Sequence, residues 1–102
     1  MSSEVLGTPS FMSPEQVLAH PLDHRTDIYC LGATLHFLLT GRPPYDGEDP
    51  IEVALRQAND PVPELPSAPR RVRKLVAKMM AKEPDERHAD YDELVRDIDR
   101  LP

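Results

Sequence analysis

The sequence contains no tryptophan, one cysteine and only five aromatic residues in 102 positions. The single Cys30 excludes an internal disulfide and favours a reducing compartment, for which we expect the cytoplasm. The longest uncharged run after Asp27, IYCLGATLHFLLTG, is shorter than the roughly 20 residues of a membrane span. The first residues, MSSEVLG, lack the basic start and apolar core of a secretory signal. We therefore expect no membrane partner and no export.

Basic charge is also scarce. The chain has 12 lysine and arginine residues against 18 aspartate and glutamate residues, for a net charge of −6. Nucleic acids and anionic membranes attract proteins through clustered positive charge, so an acidic chain is a poor match for either. We expect no nucleic-acid partner.

Proline is abundant, with 12 residues spread along the chain, and it marks the ends of short elements rather than a continuous sheet. Apolar residues recur at helical spacing between these breaks, and no strand-like alternation of useful length appears. The sequence predicts an all-α domain of five helices without a substantial sheet. The predicted helices span about 14–20, 26–39, 50–59, 69–82 and 91–101.

Helix starts are marked by polar caps. Ser13 precedes Pro14 and stands three residues before Gln16, a pattern typical of a capped first turn. Thr26 is the predicted cap of the second helix, where Asp27 suits the positive end of the helix dipole. This second helix is apolar on every side, which predicts a buried helix.

Three stretches resemble the C-terminal lobe of bacterial-type serine/threonine protein kinases. They are GTPSFMSPEQ from residue 7, DHRTDIYCLGATLHFLLTGRPPYDG from residue 23 and KEPDERHADYDELVRDI from residue 82. Their order and spacing also fit the family, and the resemblance covers nearly the whole chain. It implies a partial kinase domain over 1–102, with the end of the activation segment at 1–12 and the helices named F to I in the region 24–101.

The resemblance also implies roles for single residues. Gly7, Thr8 and Pro9 match the loop that receives the protein substrate. Glu15, in a variant of the family's Ala-Pro-Glu motif, would form a buried ion pair with Arg87.

Asp27 and Gly32 match structural residues of helix F in the family. Two of the matched residues also have local explanations: Thr8 can bond within a turn, and Asp27 can serve the start of its own helix. Ser2 and Ser3 are candidate phosphorylation sites, because activation segments often carry them, or they form part of a flexible end.

The family's phosphoryl-transfer parts do not occur in these 102 residues. Kinases need a glycine-rich loop, a strand lysine, an HRD catalytic loop and a DFG aspartate for magnesium. The sequence HRTD at 24–27 has the wrong spacing and aligns with the start of helix F. We therefore expect no catalytic residue in the chain, with ATP and Mg²⁺ bound only by an intact parent kinase. The histidines lack paired ligand spacing, so no metal site is expected.

Two functions remain open. In the first, the chain is the substrate-side part of a serine/threonine kinase whose intact form phosphorylates proteins using ATP. In the second, it is a stand-alone, non-catalytic helical module or a pseudokinase-like regulator. The partners would be a protein substrate or a missing N-terminal kinase part. Self-association through helix F is a further expectation, because its apolar circumference needs a cover.

A basic stretch, RRVRK at 70–74, stands apart in this acidic sequence. One interpretation is a docking surface for an acidic partner. The other is the solvated face of an amphipathic helix, because helical spacing also explains the pattern.

Overall fold

A computed structural model describes residues 9–101. Within that range the chain forms five α-helices and two short 3₁₀ turns, Pro9–Phe11 and Pro84–Glu86, and no strand. The prediction of an all-α fold with five helices is confirmed for the described residues. The helices are α1 (Pro14–Val17), α2 (His24–Thr40), α3 (Pro50–Asn59), α4 (Arg70–Met79) and α5 (Tyr91–Asp99).

Polar residues cap four of the five helices, because their side-chain oxygens accept hydrogen bonds from first-turn amides that have no partner within the helix. The Ser13 hydroxyl accepts from the Gln16 amide, and the Gln16 side chain accepts from the Ser13 amide, which makes a reciprocal capping box. Asp49 and Asp90 cap α3 and α5, because their side chains accept hydrogen bonds from the backbone amides three residues further on. The predicted cap at Ser13 is confirmed, because it depends on residues less than one turn apart.

Four predicted boundaries are wrong by two or three residues, including the end of α5, which lies at Asp99 rather than Leu101. The first helix ends at Val17 rather than near His20, because Ala19 adopts a left-handed φ of 56°. The second begins at His24 with Asp23 as its cap, so Thr26 lies inside the helix. The fourth ends at Met79 rather than Lys82, well before Pro84.

The core lies where α2 crosses α4. Tyr29 and Ala33 of α2 pack with Val76 of α4 and with Met80, which directly follows α4, and all four are almost completely buried. In the other half of the contact, Leu75 and Met79 of α4 pack against Ile28 and Leu94. Packing of this kind fixes α2 beneath the N-terminal segment and the loop before α5.

The other side of α2 is exposed, and the prediction of a helix buried all round is wrong for the described residues. Leu31, Leu38 and Leu39 expose 45%, 70% and 50% of their surface. The apolar pattern predicted the helix, but it did not indicate which side of the helix is buried by the rest of the chain. None of the described helices is long and apolar enough to cross a membrane.

Candidate functional site

An ion pair joins the start of the chain to the loop before α5. The Arg87 guanidinium donates from Nη1 to Glu15 Oε2 at 2.6 Å and from Nη2 to Oε1 at 2.8 Å. Both side chains are buried, with 0% and 5% of their surface exposed. This two-bond geometry is the strongest that arginine and carboxylate can form, and it ties residues 72 positions apart.

Arg87 also donates hydrogen bonds to backbone carbonyls of neighbouring segments. Its Nε donates to the Ala81 carbonyl at 2.8 Å and its Nη1 to the Arg25 carbonyl at 2.9 Å. The Thr26 hydroxyl adds a bond to Glu15 Oε2 at 2.8 Å. A buried charge pair is stable only when its remaining hydrogen-bonding atoms are occupied, and these contacts do that.

The Glu15 carboxylate is held in its charged form. Burial is the largest single effect and would raise its pKa, but the hydrogen bonds from Arg87, a backbone amide and the Thr26 hydroxyl, together with the Arg87 charge, outweigh it in sum. The net effect lowers the pKa of Glu15 from 4.5 to about 2. The pair is therefore fully ionised at neutral pH.

A second buried network lies beside the first and holds the segment Pro9–Phe11. The side-chain amide of Gln57, on α3, donates to the Ser10 carbonyl, and its oxygen accepts from the Tyr29 hydroxyl. Gln57 and Tyr29 are both completely buried. The network fixes the backbone immediately after Thr8 onto α2 and α3.

Lys82 closes this network from the far side. Its Nζ donates to the Tyr45 hydroxyl at 2.6 Å and to the Gln57 carbonyl at 2.7 Å, and it lies 4.4 Å from the Tyr45 ring centre. Partial burial lowers the pKa of Lys82 to about 8, with the nearby Arg87 charge acting in the same direction against an opposing effect of Asp60. Arg87 also stacks over the Tyr29 ring at 4.9 Å, so the two networks are in contact.

The remaining residues singled out by the sequence occupy different positions. The Asp27 side chain is exposed in the first turn of α2 and accepts the Tyr91 hydroxyl at 3.2 Å. Gly32 is buried where α2 meets α4, and a Cβ there would lie 2.8 Å from the Met79 Cβ. These positions agree with structural roles, and neither residue joins the Glu15–Arg87 pair.

Four predicted residues lie outside the described residues: Ser2, Ser3, Gly7 and Thr8. Of the expected substrate loop, only the backbone of Pro9 is described, at the start of the first 3₁₀ turn. Among residues 9–101, no group of three or more His, Cys, Asp or Glu side chains is arranged to hold a metal ion.

The chain belongs to the protein kinase family. A family model described as the protein kinase domain matches residues 2–97, almost the whole chain. Together with the all-α fold, this match identifies the class of the chain as a C-lobe portion of a kinase domain.

The relatives that the chain matches are named as serine/threonine-protein kinases. The chain is 37% identical over 108 residues to the probable serine/threonine-protein kinase PknB of Corynebacterium glutamicum. It is 37% identical to PknB of Mycolicibacterium smegmatis and 36% identical to PknB of Mycobacterium tuberculosis. Each comparison covers 98% of this chain but only 17% of the relative.

Sequence reasoning did not find four residues of the site: Thr26, Tyr29, Gln57 and Lys82. A signal was available for one of them, because Gln57 stands four residues after Val53 on the buried face of α3. A lone amide on an apolar helix face indicates a buried polar partner. For the other three the sequence offers no comparable signal.

Proposed function

We propose that this chain forms the protein-substrate platform of a serine/threonine kinase. The observation that carries the proposal is the double anchoring of the N-terminal segment. Gln57 holds the Ser10 carbonyl, and Arg87 holds Glu15 at the start of α1. A platform has to present its substrate loop in one geometry, and buried bonds on both sides of Ser13 supply that rigidity.

The intact parent would transfer the γ-phosphoryl group of ATP to a protein serine or threonine. Gly7, Thr8 and Pro9 would receive the substrate, while ATP and Mg²⁺ would bind to kinase parts that these 102 residues do not contain. Positioning of nucleotide and metal supplies most of the catalysis in phosphoryl transfer. The chain by itself would therefore be inactive, and its site of action would be the cytoplasm.

A chimera tests the platform directly. The matching segment of the Corynebacterium glutamicum kinase is replaced by this chain, and transfer of labelled phosphate to a protein substrate is measured. We expect the chimera to retain activity, and Thr8→Ala to lower it about tenfold or more because a hydroxyl contact at the reacting centre is lost. Asp92→Asn, an exposed change on α5, is the control and should leave activity unchanged.

Two results would contradict the platform. One is a chimera that folds, by circular dichroism, but transfers no phosphate while the parental kinase does. The other is a chimera that does not assemble, because an equivalent lobe has to fit the same neighbours.

A second candidate function is a stand-alone interaction module that self-associates through α2. The exposed Leu31, Leu38 and Leu39 favour it, because contiguous exposed apolar surface marks interaction sites. The mass of the endogenous protein separates the two functions. A species of 11.5 kDa would favour the module, and a much larger species would favour the kinase platform.

A further inference from the structure

The first turn of α4 breaks the rule that the other helices follow. Helices α1, α2, α3 and α5 each carry an acidic residue in the first turn. In α4 the first turn has no acidic residue, its cap Pro69 makes no side-chain hydrogen bond, and Arg70, Arg71 and Arg73 lie there instead. Positive side chains at the positive end of a helix dipole are unfavourable.

Only one of these three arginines makes a hydrogen bond that accounts for its position. Arg71 Nη1 donates to the Arg100 carbonyl at 2.9 Å and so helps to finish α5. Arg70, Arg73 and Lys74 are exposed and form no salt bridge with any described residue. Residues that break a local preference, without a contact in the fold that compensates for it, are expected at functional positions.

A groove of about 560 Å³ runs between α4 and α5 and collects this charge. Four basic residues line it: Arg71, Lys74, Lys78 and Arg100. The partly exposed Leu101 adds apolar surface to its wall, and Leu75 lies almost buried beneath it. The groove therefore combines positive charge with a place for an apolar side chain, a combination that a merely solvated helix face does not require.

The acidic residues near the groove are already engaged. Asp97 is the one acidic side chain in its lining, and its Oδ2 is hydrogen-bonded to His88 Nε2 at 2.9 Å. Glu93 pairs with Lys78 at 2.9 Å. Lys74 and Arg100 have no acidic partner among the described residues.

The positive charge is also most concentrated in this part of the molecule. Helix α4 carries five of the chain's 12 basic residues and no acidic one. The other seven basic residues are set against 18 acidic ones, so the surroundings are strongly negative. Such a surface repels the backbone of a nucleic acid but leaves room for a short acidic segment.

We propose that the groove between α4 and α5 docks an acidic peptide segment of a partner protein. Charge complementarity selects the partner's chemistry, and the exposed part of Leu101 receives one apolar side chain. The proposal does not depend on phosphoryl transfer, and it holds whether or not the chain acts as a kinase platform.

The geometry sets the spacing of the acidic residues in the peptide. The basic lining runs along α4 from Arg71 to Lys78, seven positions or about 10 Å of helix, and the unpaired Lys74 lies between them. A peptide in the polyproline II conformation rises about 9 Å in three residues and presents residues three positions apart on the same side. The matching segment therefore has two acidic residues three positions apart with an apolar residue between them.

The test is fluorescence anisotropy with a labelled ten-residue peptide that carries two glutamates three positions apart and a leucine between them. We expect saturable binding that weakens as salt is added, because exposed charges are screened. The variant Lys74→Glu with Arg100→Glu should weaken binding about tenfold or more, because two attractions become repulsions. The control, Arg42→Glu with Arg96→Glu, makes the same change in net charge at exposed positions outside the groove and should change affinity less than about twofold.

Four outcomes would overturn the proposal. The first is no binding to the unaltered chain, and the second is an equal loss in the control variant, which indicates general electrostatic attraction. The third is undiminished affinity when the peptide's leucine is replaced by serine. The fourth is a single-stranded oligonucleotide that binds more tightly than the peptide. Thermal unfolding of both variants verifies that neither substitution pair disrupts the fold.

Discussion

The two sides of α2 differ in exposure more than in polarity, because both carry large apolar residues and only one is covered. The side that faces α4 and Arg87 is buried and combines the apolar Ile28 and Ala33 with the polar Thr26 and His36. The opposite side carries Leu31 and Leu38 and is exposed. A self-contained helix bundle places apolar groups inside and polar groups outside. The comparison indicates that α2 is built to be covered on both sides.

His36 illustrates the polar groups on the buried side. It exposes only 5% of its surface, and neither ring nitrogen has a hydrogen-bond partner among the described residues. Burial lowers its pKa below 6.5, although the Arg42 backbone acts in the opposite direction. The imidazole is therefore held neutral against the core, and protonating it would destabilise the fold.

Removing Arg87 should produce the largest loss on the buried side. Arg87→Ala leaves the Glu15 carboxylate buried and unpaired, which is expected to lower the free energy of unfolding by about 3–5 kcal/mol. Urea unfolding of the chain measures the change. Arg25→Ala is the control, because Arg25 pairs with Asp85, whose side chain is 92% exposed, and should cost at most about 1 kcal/mol. A loss below about 0.5 kcal/mol for Arg87→Ala would contradict the pair's contribution.

Acid should weaken the same contact without a mutation. The pKa of Glu15 is lower in the folded state than its ordinary 4.5, so its contribution is present above pH 4.5 and is lost as pH falls towards 2. The shift corresponds to about 3 kcal/mol. Urea unfolding at a series of pH values should show this decline, and Glu15→Gln should remove that part of it. Parallel curves for the two proteins would rule out Glu15 as its source.

Filling the space between α2 and α4 should have an intermediate effect. Gly32→Ala places a methyl group 2.8 Å from the Met79 Cβ and 2.9 Å from the Met80 Cγ. We expect a loss of about 1–3 kcal/mol in stability, although alanine favours helices over glycine. Thr34→Ala, on the exposed side of α2, is the matched control and should change stability by less than about 0.5 kcal/mol. A stabilised Gly32→Ala protein would show that the two helices can move apart.

The exposed side should respond with the smallest change in stability but a change in association. Leu38→Ser should alter the free energy of unfolding by less than about 0.5 kcal/mol, because Leu38 is 70% exposed. If α2 mediates self-association, the same change should weaken it in sedimentation experiments over a range of concentrations. Ile51→Ser, at an equally exposed position on α3, is the control. A strictly monomeric unaltered chain would contradict self-association.

Local signals predicted most of the helices. Proline and the acidic caps set the start of α3 at Pro50, and Gly41 ends α2 in a left-handed conformation with φ of 73°. One wrong boundary falls where two signals compete within one turn. At the start of α2, both Asp23 and Thr26 can cap a helix, and the sequence alone does not rank them.

The site was less accessible to sequence reasoning. The resemblance named Glu15 and Arg87 as a pair, but no local pattern joins residues 72 positions apart. Gln57 and Ser10 are 47 positions apart, and the resemblance did not name Gln57. Such contacts depend on how helices pack, and many packings satisfy the same local pattern.

The sequence by itself determined the helical class, the caps and the kinase family, because these depend on short-range sterics and on motifs whose order is visible in the chain. Only the tertiary structure decided which groups surround the Arg87 guanidinium, that Gln57 holds the Ser10 carbonyl, and which side of α2 is exposed. The physical reason is that burial and long-range hydrogen bonds belong to the packed arrangement of helices, whereas helix formation depends largely on neighbours within a few residues.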